Sequence, residues 1–233
     1  MRQHLPALFG KAGAEGNQRV LTDYCATIAG LLLENYTQAR AAWAHGHGAR
    51  IRNQAHGSPA NSLDLYAATD IPETAGENLT RIKFASSAAH VTGKPLTLAE
   101  TATWENDHFL PTLSDVKKAV DRMLLGGVNR VFYHGTAYSP LAAAWPGWLF
   151  CAVVEFSPQN PLWQDFSQLN RYAVRCQSFL QAGQRRYRST MPTSGRARYC
   201  CSILMVSSAA LRACPLRPPV SCCSSRVLVM TLF

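Results

Sequence analysis

PLTLAETATWENDHFLPTLSDVKKAVDRMLLGGVNRVFYHGT (95–136) reads as strand, helix, strand. PLTLAET (95–101) is the first strand, and Pro95 suits its opening position. LSDVKKAVDRMLLGG (113–127) sets Val116, Val120, Met123 and Leu124 on one helical stripe, with Ser114 as the expected cap and Gly126–Gly127 as the stop. VNRVFYHG (128–135) is the next strand. Both strands begin apolar and end in polar groups: Glu100 with Thr101, Thr103 and Trp104 at the first, His134 at the second.

Outward from this unit the rhythm repeats. SPANSLDLYAATDIPET (58–74) reads as a short helix and a strand ending at Glu73, and IKFASSAAHVTGK (82–94) as a helix stopped by Gly93. ARIRNQAHG (49–57) reads as a short strand running into a polar loop. Residues 20–45 carry Tyr24, Ile28, Leu31, Leu32, Asn35 and Trp43 near helical spacing, with Thr22 or Asp23 as the expected cap and HGHG (45–48) as the stop. AWPGWLFCAVVEF (144–156) is a Trp-rich loop and an apolar run, and residues 162–183 form a last amphipathic helix. Alternating strands and helices with short loops predict an α/β fold, a parallel sheet with helices outside whose strand ends point into one site.

Residues 184–233 differ in texture. They hold eight Arg and no Asp, Glu, Lys or Asn, and five of the eight cysteines: Cys200, Cys201, Cys214, Cys222 and Cys223. Removing them takes the formal charge from +9 to +1, with 15 basic against 14 acidic groups in 1–183. The body therefore offers no basic surface for nucleic acid. We expect two parts: a globular unit over 1–183, and a Cys-, Ser- and Arg-rich tail over 184–233, either frameshifted or a disordered basic extension. No CxxC pair exists, and the adjacent cysteines lack zinc-finger spacing. The segment after Met1 lacks a secretory core, and the apolar runs at 203–211 and 227–233 are too short for a bilayer, so the chain as written reads as cytoplasmic with no membrane partner.

Candidate chemistry lies at the strand ends. Two carboxylates facing one cleft are the minimal equipment for breaking a glycosidic bond. Glu100 beside an aromatic face and hydroxyls suits a sugar site, or else caps the following helix. Glu73 is a second carboxylate, a substrate acceptor, a cation ligand or a loop residue. RNQAHG (52–57) gathers Arg52, Asn53, Gln54 and His56, which bind hydroxyls or hold their own loop. His134 is a site residue or a buried histidine bonded to backbone, and Trp145 and Trp148 form a platform or pack under a loop.

RNQAHGSPANSLDLYAATDIPET, KFASSAAHVTGKPLTLAETATW, GGVNRVFYHGTAYSP and WPGWLF together resemble the catalytic barrel of alpha-L-rhamnosidases of glycoside hydrolase family 106, over roughly residues 4–183. The resemblance implies a partial (β/α)8 TIM-type barrel, about its last four βα units, followed by an irregular tail. It implies inverting hydrolysis of terminal alpha-L-rhamnosides, a rhamnose-containing glycan or glycoside as partner, and calcium at the site, with its ligands here unknown. Full-length homologues are expected in the periplasm or secreted. Glu100 becomes the general base, and Glu73, Asn53, His56, Trp104 and His134 the residues that shape the sugar pocket. The family's general acid lies in a DSYE-like motif that this chain lacks. The expectation is an inactive fragment of a rhamnosidase. The rival readings are a rhamnoside-binding remnant and a pseudogene product.

Overall fold

In a computed structural model, residues 5–10, 14–105, 108–140, 142–152, 154–182 and 227–228 are described. The expectations about 184–233 fall outside them, apart from Val227–Leu228, which pairs antiparallel with the short strand Thr136–Ala137. Four parallel strands form one sheet in sequence order: β1 (Arg52–Gln54), β2 (Ile71–Ala75), β3 (Leu98–Thr101) and β4 (Arg130–Tyr133). The crossovers are α4 (Ser62–Ala68), α5 (Leu79–Val91) and α6 (Leu113–Leu125), and α7 (Trp163–Ala182) follows β4. Before the sheet run α1 (Leu5–Leu8), α2 (Ala14–Leu31), a π-helical stretch (Leu32–Gln38) and α3 (Ala39–Gly46).

Each crossover helix is bounded by local chemistry. Asn61 and Asn78 accept from backbone N–H groups in the first turns of α4 and α5, which meets donors a helix start leaves orphaned. On α6 the cap is Thr112, in a reciprocal box with Asp115, and not Ser114 as expected. A side chain two residues earlier reaches the orphaned N–H, whereas Ser114 is already helical. Likewise Thr22 lies inside α2, where its hydroxyl donates to the Gln18 carbonyl, because that helix runs from Ala14, ahead of the expected range 20–45.

The α6 exit fixes where β4 begins. Gly127 N–H donates to the Leu124 carbonyl and Val128 N–H to the Met123 carbonyl, the paired bonds of a Schellman turn. Met123 and Val128 then pack with Ile82 and Ala99 under the sheet. Gly127 has φ +93°, and a Cβ there would sit 2.9 Å from Ser86 Cβ and Oγ. Gly127→Ala should therefore cost about 3 kcal/mol, combining left-handed strain with overpacking. Gly93→Ala, at φ +68° with open space around it, should cost only about 1 kcal/mol. Paired denaturant midpoints check this; equal losses would show that the Ser86 contact does not matter.

The sheet's outer face meets α5 and α6 through Ile82, Met123, Val128 and Val131. The outward edge of β4 is covered by α7: Val131 N–H donates to Gln177 Oε1 at 2.9 Å, and the Asn129 carbonyl accepts from Gln181 Nε2. Backbone groups that would otherwise invite another strand are thereby satisfied. The opposite face is concave. The Arg52 guanidinium of β1 lies 4.6 Å from the centre of the Phe132 ring of β4. Strands lie about 4.8 Å apart, so on a flat sheet those two strands would be roughly 14 Å apart. The sheet must curl for these side chains to meet. Among the described residues no helix is long and apolar enough to cross a membrane.

Candidate active site

Alternate residues of a strand share a face, so the register decides which side chains meet on the concave side. Gln54 pairs with Glu73, and Glu100 pairs with Ala75, two residues beyond Glu73 on the same face. Gln54 Nε2 donates to both carboxylates, to Glu73 Oε1 at 3.0 Å and to Glu100 Oε2 at 2.8 Å. The two accepting oxygens can be no farther apart than those bonds laid end to end. At the trigonal angle of an amide nitrogen they lie roughly 5 Å apart.

Each carboxylate's other oxygen has a private neighbour. Thr103 Oγ1 donates to Glu100 Oε1 at 2.6 Å. It reaches back because Ala102, at φ +63°, turns the chain sharply where β3 ends. A non-glycine residue in that region is costly and clusters at functional sites. Arg52 Nε lies 3.0 Å from Glu73 Oε2. This contact is an ion pair without hydrogen-bond geometry, so Glu73 Oε2 is buried beside a charge and has no hydrogen-bond donor.

Glu73 is 5% exposed. Burial pushes its carboxyl above the usual carboxylate range; Arg52 and Gln54 pull against this, and the Glu100 charge adds to it. His56 is held below the usual imidazole value by burial and then by Arg81, with Glu100 acting the other way. Its Nδ1 is buried and without a partner. Burial, an arginine and two close carboxylates concentrate perturbed groups at the C-terminal ends of three strands, a pattern that marks functional sites.

The structure brings Glu73, Glu100 and His56 together and leaves three expected residues apart. Asn53 faces the other side of the sheet, where its Oδ1 accepts from Arg40 Nη2 of α3 at 3.0 Å. That corrects its placement in the pocket: successive strand residues point to opposite faces, so 52 and 54 share a side that 53 cannot. Trp104 donates from Nε1 to Glu77, whose other oxygen accepts from Arg122, and its ring packs against the core under α6 and α7. His134 Nδ1 is bonded to the Ala152 carbonyl, with Phe150 edge-on to the ring. Gln54 and Arg52 carry the geometry instead. Three polar residues in a row, Arg52, Asn53 and Gln54, carry no alternation that would have singled these two out.

One more acid was hidden in an apolar run. Glu155 is 3% exposed, has φ +62°, and its Oε1 has no hydrogen-bond partner. Burial raises its pKa. Phe156 N–H donates to the Gly135 carbonyl, which sets this residue beside the C-terminal end of β4.

The sequence profile of the alpha-L-rhamnosidase family matches residues 1–187. A solved structure of a rhamnosidase from Novosphingobium sp. PP1Y superposes with a TM-score of 0.62 at 24% identity, over 72% of this chain and 17% of that one. At that identity the likeness concerns the fold. The chain spans about 17% of the length of that enzyme. No curated protein matches the sequence significantly.

Proposed function

The chain belongs to the alpha-L-rhamnosidase family, glycoside hydrolase family 106, and from that premise we propose that its sheet is about the last four units of a (β/α)8 barrel whose strand ends bind terminal alpha-L-rhamnosides for inverting hydrolysis. On this reading 1–183 is the partial barrel and 184–233 a separate tail. The curl of the sheet supports it. Following the strand pairings across from Arg52, Phe132 stands four residues beyond the level position over three strand steps. An eight-stranded barrel of shear 8 staggers by about one residue per strand.

The observation that carries the functional reading is the Gln54 bridge between Glu73 and Glu100. Glu100 is half-buried, and Thr103 and Gln54 fix its plane. It would take a proton from a water molecule as the water oxygen bonds to the anomeric carbon and the glycosidic C–O bond breaks. Glu73, tied to Arg52, would accept from sugar hydroxyls and organise the pocket. It is not the acid. Both of its oxygens are engaged, Oε1 by Gln54 at 3.0 Å and Oε2 beside the Arg52 cation at 3.0 Å, which suits a group that organises the pocket rather than one that carries a proton to a leaving oxygen.

Calcium, which the family resemblance implies, suits hard oxygen donors. Glu73 and Glu100 do not fit it: Glu73 Oε1 and both Glu100 oxygens already accept hydrogen bonds, and Glu73 Oε2 faces the Arg52 cation at 3.0 Å. Among the described residues no three His, Cys, Asp or Glu gather as a metal site.

Calorimetry with L-rhamnose tests the reading. We expect saturable heat from the 233-residue chain, weakened at least about tenfold in Glu100→Gln, and none with D-glucose. Absence of heat with L-rhamnose would count against the assignment. The lack of the DSYE-like acid motif in the sequence also favours a second reading for this chain alone, a module that holds rhamnosides without cleaving them.

A further inference from the structure

We propose that Gln54 is the positioning residue of the carboxylate pair: its single amide nitrogen holds Glu73 and Glu100 at one spacing and so aims Glu100. This deepens the rhamnoside reading and rests on it only for the sugar-binding arm of the test below.

Two carboxylates on adjacent strands of one face repel each other. Among the described residues one guanidinium, that of Arg52, makes an ion pair with either of them, and it sits on the Glu73 side. Glu100 has no cation within ion-pair distance among the described residues. Its plane is set by two neutral donors, Thr103 Oγ1 at one oxygen and Gln54 Nε2 at the other. A carboxylate held at both oxygens cannot turn about its terminal bond, whereas one held at a single oxygen can. Gln54 is therefore the group that couples the orientation of Glu100 to that of Glu73.

The residue type matters. One primary amide nitrogen carries two N–H bonds at a trigonal angle, which serves two acceptors at once. Asparagine would stop one carbon short. Lysine would add a charge and pull the carboxylates onto one centre. Methionine keeps the length and removes the donors. Gln54 ends β1, a strand pinned to β2 along Arg52–Ile71, Asn53–Pro72 and Gln54–Glu73, so the amide projects from a rigid element.

The test uses the full 233-residue chain labelled with nitrogen-15. The two side-chain amide protons of Gln54 should be separately shifted downfield, each by its own carboxylate. Glu100→Gln should move one strongly and the other little, and Glu73→Gln the reverse. Gln54→Met should keep the fold by circular dichroism and weaken L-rhamnose binding about tenfold. A Gln54 amide spectrum unchanged by Glu100→Gln would overturn the proposal whatever the sugar does. So would unaltered L-rhamnose affinity in Gln54→Met. A wild-type chain that binds no L-rhamnose contradicts the rhamnoside reading and leaves the amide spectrum to decide the role of Gln54.

Discussion

Given methyl alpha-L-rhamnoside, the 233-residue chain should release rhamnose at least about 10²-fold more slowly than a longer polypeptide that also carries the preceding half of the family barrel. The reason is the proton needed by the leaving oxygen. General acid catalysis is typically worth about 10²–10⁴-fold, and an alkoxide leaves poorly without it. Within this chain Glu73 is tied at both oxygens, to Gln54 and beside Arg52, and so is not placed to hand a proton to the leaving oxygen. The resemblance places the acid in a DSYE-like motif, and no such motif occurs in these 233 residues. The deficit should shrink with p-nitrophenyl alpha-L-rhamnoside, whose aryl oxide departs with little help from an acid. Rhamnose release from the two substrates, measured side by side, checks the argument. Equal rates for the two polypeptides on the methyl glycoside would show that an acid exists within these 233 residues, and Glu155, buried beside the end of β4, would be the first to examine.

In the longer polypeptide, Glu100→Gln should lower kcat by about 10³-fold on both substrates. Loss of a general base removes an interaction made in the transition state whatever the leaving group. Glu73→Gln should act differently. That side chain is tied to Arg52 and Gln54 and is 5% exposed, so its loss should raise KM more than it lowers kcat. Steady-state kinetics of both variants separate the roles. A Glu73→Gln enzyme that loses about 10³-fold in kcat, while Glu100→Gln keeps most of its own, would exchange the two assignments.

The βα rhythm was legible because strand and helix periods leave their mark locally. The helices expected over 82–94, 113–127 and 162–183 appear as Leu79–Val91, Leu113–Leu125 and Trp163–Ala182. The glycine stops at 93 and 126–127 are where they were read, since a Schellman turn writes its glycine into the sequence. The two glutamates were legible too, because both stand near strand ends. What the sequence did not disclose was facing. Asn53 and Gln54 are neighbours in the chain and on opposite sides of the sheet; only the strand's pleat separates them. Trp104 was read as an aromatic face beside Glu100 that shapes the sugar pocket, and the structure adds that Glu77 and Arg122, 27 and 45 residues apart from their partners, tie it to the loop after β2 and to α6. No local pattern announces contacts of that range. Glu155 stayed hidden in CAVVEF because a buried acid in an apolar run looks like an interruption until its burial is seen.

A crystal structure after soaking with L-rhamnose tests the central claim most directly. The account predicts the sugar on the concave face at the strand ends, with hydroxyls bonded to Glu73 and its anomeric carbon facing Glu100 across room for one water. Rhamnose seated anywhere else, with the Glu73–Gln54–Glu100 network untouched, would contradict it.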